Sequence, residues 1–151
     1  MYDSEHTILA KMATTVLGIE RPSFVKELVC QSFGNLTVIS GSANSGKNTL
    51  LAGIALNYDK KDCIAVLTES YDLKLVRVCD VVYDQTIHND TTEIIEALEG
   101  VTGKNIFIEQ YQPKFTCNWQ PQDDMKQLML WSKETNNNVY ICVHSRRIKE
   151  V

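Results

Sequence analysis

The sequence is poor in the features that mark membrane, secreted and disulfide-stabilised proteins. No apolar run approaches the roughly 18 residues that a membrane-spanning helix needs, so we expect no membrane partner. The acidic start, Met1 to Glu5, lacks the basic flank of a secretory signal and the arginine-rich character of a mitochondrial transit peptide. No targeting signal is therefore visible, and no internal repeat or low-complexity tract is present.

A basic surplus is also missing, because 15 Lys and Arg residues face 19 Asp and Glu residues. A protein that grips a nucleic-acid backbone alone is usually strongly basic. The net charge of −4 therefore argues against an autonomous DNA-binding module. It does not argue against a ring of subunits in which short loops from several subunits together contact one strand of nucleic acid.

The five cysteines form no C-x-x-C pair and have no histidine at metal-binding spacing. They are Cys30, Cys63, Cys79, Cys117 and Cys142. Two of them, Cys63 and Cys142, lie in apolar runs that are typical of buried strands. We therefore expect reduced thiols in the core of an intracellular protein.

Apolar runs alternate with helical patterns from Asn35 onward. Short runs rich in β-branched residues predict strands over 36–40, 63–67, 105–108 and 139–143. Helical periodicity predicts helices over 47–58, 72–83, 92–98 and 123–134. Continuous apolar strands that alternate with helices indicate an α/β fold, a parallel sheet with helices on both faces.

The first part of the chain has helical spacing instead. Residues 4–17 read as one helix with Ser4 as its N-cap, and Pro22 begins a second that carries apolar residues as far as Val29. We therefore divide the chain into an N-terminal helical segment, 1–33, and an α/β domain, 34–151.

A G-x4-G-K motif lies between the first predicted strand of this domain and the helix after it. Its residues are Gly41, Ser42, Ala43, Asn44, Ser45, Gly46 and Lys47. The glycines let backbone N–H groups turn inward, the helix N-terminus adds partial positive charge, and the lysine reaches the β- and γ-phosphates. This motif in this context predicts a P-loop that binds ATP.

The position after the lysine departs from the motif. A Ser or Thr hydroxyl that binds Mg²⁺ is expected there, but the chain has Asn48, followed by Thr49. Thr49 cannot simply substitute, because one residue along a helix turns a side chain by about 100°. We expect Asn48 and Thr49 to take part in phosphate binding, and Asn48 or Thr49 to bind Mg²⁺ in a weakened metal site.

Polar residues follow three of the predicted strands. Glu69 follows the second strand, Glu109 the third and His144 the fourth. The carboxyl ends of parallel strands are where ligands meet an open α/β sheet. We therefore predict that these three side chains face the phosphate site.

Four segments in this order resemble the helicase core of ring-forming replicative helicases of the mitochondrial Twinkle and phage primase–helicase type. Residues 36–58 are similar to the strand, phosphate loop and helix that open that core, and 63–78 to its second motif. Residues 106–112 resemble the Walker B strand, with Gln112 in place but Glu109 where an Asp is usual. Residues 143–147 resemble the motif that follows, with Arg146 and Arg147 where its basic residues stand.

The resemblance implies a RecA-like P-loop NTPase and a role for each residue. Glu69 would be the carboxylate that activates water, His144 the sensor of the γ-phosphate, and Glu109 a Mg²⁺ ligand. It implies an ATP-dependent 5′–3′ DNA helicase that acts on single-stranded DNA as a ring of identical subunits, in a mitochondrial nucleoid or phage replisome.

Two alternatives to a working motor remain. The family's core continues past this point with a DNA-binding loop and an arginine finger, so the chain reads as a partial core with slow hydrolysis of its own. It could instead bind nucleotide without turnover and modulate a full-length relative, or it could be a structural remnant. The size of the protein in solution distinguishes the motor from the nucleotide-binding module, since a motor forms a ring with nucleotide and a module stays a monomer.

Overall fold

The computed structural model describes residues 29–41, 46–69, 73–111 and 121–144. The described strands are β1 (Val29–Phe33), β2 (Leu36–Gly41), β3 (Cys63–Leu67), β4 (Val81–Asp84), β5 (Asn105–Tyr111) and β6 (Asn138–His144). The helices are α1 (Lys47–Ala55), α2 (Leu73–Val78), α3 (Thr91–Ala97) and α4 (Pro121–Thr135), with a 3-10 turn at Lys60–Asp62. Each predicted strand of the α/β domain is confirmed to within a few residues.

The strands form one six-stranded sheet in the order β1-β2-β6-β5-β3-β4. All neighbours from β2 to β4 in this order run parallel, as predicted. The prediction of a wholly parallel sheet is wrong, because β1 pairs antiparallel with β2. A two-residue turn joins these two strands, and Gly34 adopts φ 64° there, a conformation that favours glycine.

Side chains alternate between the two faces of the sheet, and each face has its own helices. In β3, Cys63, Ala65 and Leu67 pack with residues of α1 and α2, whereas Ile64 and Val66 pack with residues of α3 and α4. All five side chains are buried. The continuous apolar runs thus reflect burial on both sides, and the prediction of helices on both faces is confirmed.

Two predicted helices are wrong in part. The second predicted N-terminal helix reached Val29, but this residue begins β1, and the remainder of that helix lies outside the described residues. The helix predicted over 72–83 ends at Val78, and the chain continues as β4 beside β3. The backbone N–H of Asp80 donates to the carbonyls of Lys60 and Cys63, each at 3.2 Å. This tertiary contact stops the helix before a β-branched stretch that favours a strand.

The other helices agree with their predictions at one end or both. α1 starts at Lys47 as expected and ends at Ala55, three residues early. α3 begins after Asp90, whose Oδ1 accepts a hydrogen bond from the Glu93 backbone N–H at 2.8 Å. Such a bond satisfies one of the exposed N–H groups at a helix start. The sheet itself starts at Val29, five residues before the expected start of the α/β domain.

Two expectations from composition bear on the described part of the chain. The side chains of Cys30, Cys63, Cys79 and Cys142 are all buried, whereas Cys117 lies outside the described residues. In the stretches that the structure describes, no helix has both the length and the apolar character needed to cross a membrane.

Candidate functional site

The parallel strands end at one side of the sheet, which we call the carboxyl edge and define by Gly41, Glu69, Glu109 and His144. Gly41 and His144 are direct partners at the ends of β2 and β6. Glu109 lies near the end of β5, and Glu69 follows β3 after one intervening residue. The structure therefore brings the three predicted strand-end residues to the same edge as the first glycine of the motif. From β2 to β3 is three strand spacings, or about 14 Å.

Lys47 is a buried cation at the start of α1. Only 7% of its surface is exposed, and its Nζ donates a hydrogen bond to the carbonyl oxygen of Gly41 at 2.9 Å. Burial lowers the pKa of the Lys47 ammonium, and Cys142 and Glu69 oppose this shift by their charge. Glu69 therefore lies within electrostatic reach of Lys47, although the two follow different strands.

The first turn of α1 is suited to hold negative charge. Its N-cap, Gly46, has φ 90° and offers no side chain as a cap, and no acidic residue lies in its first turn. The N–H groups of the first turn and the helix dipole therefore favour an anion at this end. Ser42, Ala43, Asn44 and Ser45 complete the motif but lie outside the described residues.

Asn48 and Thr49, the predicted metal-side residues, have different surroundings. Asn48 is half-buried in the first turn of α1. The hydroxyl of Thr49 accepts a hydrogen bond from Lys74 Nζ at 3.1 Å, which ties α1 to the start of α2. An ammonium that donates to this oxygen competes with a metal ion for it, and the role of Thr49 as a Mg²⁺ ligand stays a prediction.

Glu109 is the most deeply buried carboxylate of the site, with 1% of its surface exposed. Its Oε1 accepts hydrogen bonds from the backbone N–H groups of Thr68 at 3.3 Å and Glu69 at 3.0 Å. The side chain therefore reaches across to the end of β3. The carboxyl oxygen is of the type that Mg²⁺ prefers, but in this position it already has two donors.

Thr68 joins the same two strand ends in the opposite direction, from a side chain just after β3 to the backbone of β5. Its hydroxyl accepts a hydrogen bond from the Gln110 backbone N–H at 3.0 Å and donates to the carbonyl oxygen of the same residue. The last backbone pair between β3 and β5 is Val66 with Ile108. Beyond that pair, side chain–backbone bonds replace the ladder and join the two strand ends.

An irregularity in β5 lies at the same place. Ile108 pairs with Ile141 of β6, and Tyr111 pairs with Val143, so β5 uses one more residue than β6 over this distance. Glu109 and Gln110 are the residues in this bulge. Bulges redirect side chains and are frequent next to functional sites. The alternation along the strand did not reveal it, and neither Thr68 nor Lys74 was predicted to take part.

The remaining predicted residues are placed only in part. His144 is the last residue of β6, beside Gly41, but the direction of its side chain is not described. In the part of the chain that the structure describes, no three or more His, Cys, Asp or Glu side chains are grouped to hold a metal ion. The site therefore combines a helix start with Gly46 as N-cap, a buried lysine and an exposed carboxylate, Glu69.

Fold and site together define an α/β protein with a mostly parallel sheet, with Lys47, Glu69 and Glu109 at its carboxyl edge. No protein-family model, no curated protein and no solved structure matches the chain.

Proposed function

We propose that the chain binds the phosphates of ATP at the start of α1. The observation that carries the proposal is Lys47, whose buried ammonium donates to a carbonyl of its own motif at a helix start with Gly46 as N-cap. Burial of a cation is costly, and it lowers the pKa of Lys47. A phosphate oxygen that takes over this hydrogen bond would compensate the charge and raise the pKa of Lys47 again.

The other residues of the carboxyl edge have roles in the proposed reaction. Glu69 is exposed and follows β3, so its carboxylate is available to orient a water molecule that attacks the γ-phosphate. His144, at the end of the neighbouring β6, is proposed as the sensor of that phosphate. Mg²⁺ bound with ATP would neutralise phosphate charge, and Asn48 is one of its predicted ligands.

On the level of the whole activity, we propose a helicase core of the Twinkle type. The order of the four motifs supports this proposal, as does an α/β sheet that gathers their strand ends at one edge. Such a protein would move 5′ to 3′ on single-stranded DNA as a ring. The same resemblance suggests a mitochondrial nucleoid as its location, which imaging of a tagged chain beside a DNA stain would test.

The second candidate is a nucleotide-binding module with little turnover that modulates a full-length ring helicase. The contacts of Thr49 with Lys74 and of Glu109 with β3 favour it, because both remove oxygens from the predicted Mg²⁺ site. Weak metal binding slows phosphoryl transfer while it leaves the phosphate cradle intact. We expect slow hydrolysis by the chain alone in either case.

The first experiment is a titration of a fluorescent ATP analogue with and without Mg²⁺. We expect Lys47→Met, which keeps most of the length of the side chain and removes its charge, to weaken binding about 10–100-fold because a charge-assisted bond to phosphate is lost. Lys61→Met is the matched control, because Lys61 is an exposed lysine in the 3-10 turn. Equal affinities of the wild type and Lys47→Met would contradict the proposal.

Hydrolysis with single-stranded DNA and the size of the protein in solution then separate the two candidates. Turnover that DNA stimulates, together with a ring in the presence of nucleotide, supports the helicase. A monomer that binds ATP without turnover supports the modulating module. If no nucleotide binds at all, both candidates fail and only the fold remains.

A further inference from the structure

We propose that Glu109 is a positioning residue that holds the end of β3, so that Glu69 is presented at the carboxyl edge in a fixed place. The role of Glu69 in this statement rests on the proposed function, whereas the contact itself does not. The resemblance to helicases implied a metal ligand at this position. The geometry points to a different use of the same carboxylate.

The first argument is the set of partners of Glu109. One carboxyl oxygen accepts from two successive backbone N–H groups, those of Thr68 and Glu69. These N–H groups come just after β3 ends, where no strand ladder is left to bind them. Buried N–H groups without a partner are costly, so the carboxylate fixes this stretch of backbone.

The second argument is the reciprocal bond of Thr68. Its hydroxyl bonds both the N–H and the carbonyl of Gln110, the residue that follows Glu109. The two strand ends are thus joined in both directions, and Thr68 itself is buried. The contact of Glu109 with β3 is therefore one half of a reciprocal arrangement and not an isolated bond.

The third argument is the length of the Glu109 side chain, which reaches the backbone at the end of β3. The bulge in β5 places Glu109 and Gln110 outside the regular pairing with β6, and it turns the Glu109 side chain toward β3. The side chain of Glu is one methylene longer than that of the Asp usual at this position in the family. An Asp at position 109 would fall short of the β3 backbone by about the length of one C–C bond, about 1.5 Å.

The consequence for Glu69 follows from its position next to the bound backbone. Its own N–H is one of the two that Glu109 holds, and its carboxylate acts electrostatically on Lys47. A displacement of about 1 Å in a reacting group can cost about 100-fold in rate. Glu109 therefore acts on the proposed chemistry through Glu69, without contact with the reacting atoms.

The test compares Glu109→Asp with Glu109→Gln in the full chain, labelled for NMR. Aspartate keeps the charge and loses the reach, whereas glutamine keeps the reach and an acceptor oxygen but loses the charge. We expect Glu109→Asp to speed amide exchange at Thr68 and Glu69 about 10-fold or more and to shift the Glu69 carboxyl-carbon resonance. Glu109→Gln has the smaller effect on both. Ile108→Val, which removes one methylene from the neighbouring buried position, leaves both unchanged.

Hydrolysis adds a readout that a purely structural contact would not move. In the presence of single-stranded DNA, Glu109→Asp is expected to lower kcat about 10–100-fold with little change in KM, because Glu69 is displaced while the phosphate cradle is intact. A metal ligand predicts the reverse order, with the charge-removing Glu109→Gln as the worse variant.

The outcomes separate this proposal from the function on which it rests. Unchanged exchange at Thr68 and Glu69 in Glu109→Asp overturns it, and so does a larger effect of Glu109→Gln than of Glu109→Asp. A Glu109 carboxyl resonance that moves when MgCl₂ is added with the ATP analogue also overturns it, in favour of a metal ligand. If the wild type binds no nucleotide, the proposed function fails, while exchange and the Glu69 resonance still decide the contact.

Discussion

The two ends of the parallel strands bury polar groups of different kinds. At the carboxyl edge the buried groups include two charges, Lys47 and Glu109, and backbone groups are their hydrogen-bond partners. At the opposite end, which we call the amino edge, the buried polar side chains of the described residues are neutral and include Asn137, which has no surface exposed. A burial of charge costs far more than a burial of an amide.

Asn137 shows what a purely structural polar residue looks like in this fold. Its Oδ1 accepts from the Lys104 N–H at 2.9 Å, and its Nδ2 donates to the Val101 carbonyl at 3.0 Å and to the Thr135 hydroxyl at 2.8 Å. These bonds fasten the turns before β5 and β6. The amino edge therefore contributes to stability. The buried ammonium of Lys47 at the carboxyl edge needs another explanation, which the proposed phosphate binding would supply.

The largest effect on stability is therefore expected at the amino edge. Asn137→Ala leaves the Lys104 N–H and the Val101 carbonyl without their partner, and we expect it to lower the free energy of unfolding by about 2–4 kcal/mol. Chemical denaturation measures this change. Asn57→Ala is the control, because this exposed amide bonds only the end of its own helix. A loss no larger than that of the control would remove the distinction between the edges.

The next effect concerns the tie between β3 and β5. Thr68→Val keeps the shape of the side chain but leaves the Gln110 N–H and carbonyl without the hydroxyl. We expect a loss of about 1–3 kcal/mol in the free energy of unfolding. Thr92→Val, at an exposed position of α3, should stay within about 0.5 kcal/mol of the wild type. Equal values for the two variants would show that Thr68 does not join the strand ends.

A smaller effect is expected from the hydroxyl pair near the amino edge. Tyr58 and Tyr140 bond each other at 2.6 Å, and the Tyr140 ring stacks on Phe107 with centroids 5.1 Å apart. Tyr140→Phe keeps the stacking and removes the bond, so we expect a loss of about 0.5–1.5 kcal/mol. A double-mutant cycle with Tyr58→Phe isolates the pair, with Tyr83→Phe as the single-site control. A coupling energy of zero would exclude a stabilising role.

The smallest effect on stability is expected at Lys47, the residue with the largest expected effect on binding. Lys47→Met removes a costly buried charge and should stay within about 1 kcal/mol of the wild type at pH 7. A large loss of stability in Lys47→Met would show that Lys47 is a structural residue, and the two edges of the sheet would then not differ in this respect.

The pH dependence of stability, compared between the wild type and Lys47→Met, tests whether burial lowers the pKa of Lys47. Burial lowers the pKa of Lys47 in the fold, so the unfolded chain binds the extra proton between that pKa and 10.5. Stability from this group therefore rises as the pH increases through that window. We expect the free energy of unfolding of the wild type, relative to Lys47→Met, to increase with pH there. A flat difference would show that Lys47 is not desolvated.

Much of the fold could be predicted because its strands are buried on both faces. Runs such as 63–67 are apolar throughout, and this pattern does not depend on distant contacts. β1 and β4 were not predicted, because Val29 and the stretch Val81–Asp84 fit the helical spacing of the residues before them. What makes them strands is pairing with β2 and β3, which the local sequence does not encode.

The position of the candidate residues at one edge could be predicted, but their contacts could not. Lys47, Glu69 and Glu109 follow parallel strands, and the carboxyl ends of such strands lie together. The partners of Glu109 and Thr49 depend on a bulge and on a lysine from the next helix. Both are features of three-dimensional packing, so the sequence suggested metal ligands where the structure has other bonds.

The short strand β4, an outer strand among those that the structure describes, has a consequence for the behaviour of the protein in concentrated solution. It has only four residues, and aspartates, Asp80 and Asp84, stand just before it and at its end. Hydrogen bonds from Thr86 keep the pKa of Asp84 below its ordinary value, so this charge persists in mildly acidic buffer. Short edge strands with charged ends offer a poor template for strands of other molecules. This side of the sheet is therefore protected against the edge-to-edge pairing that begins aggregation.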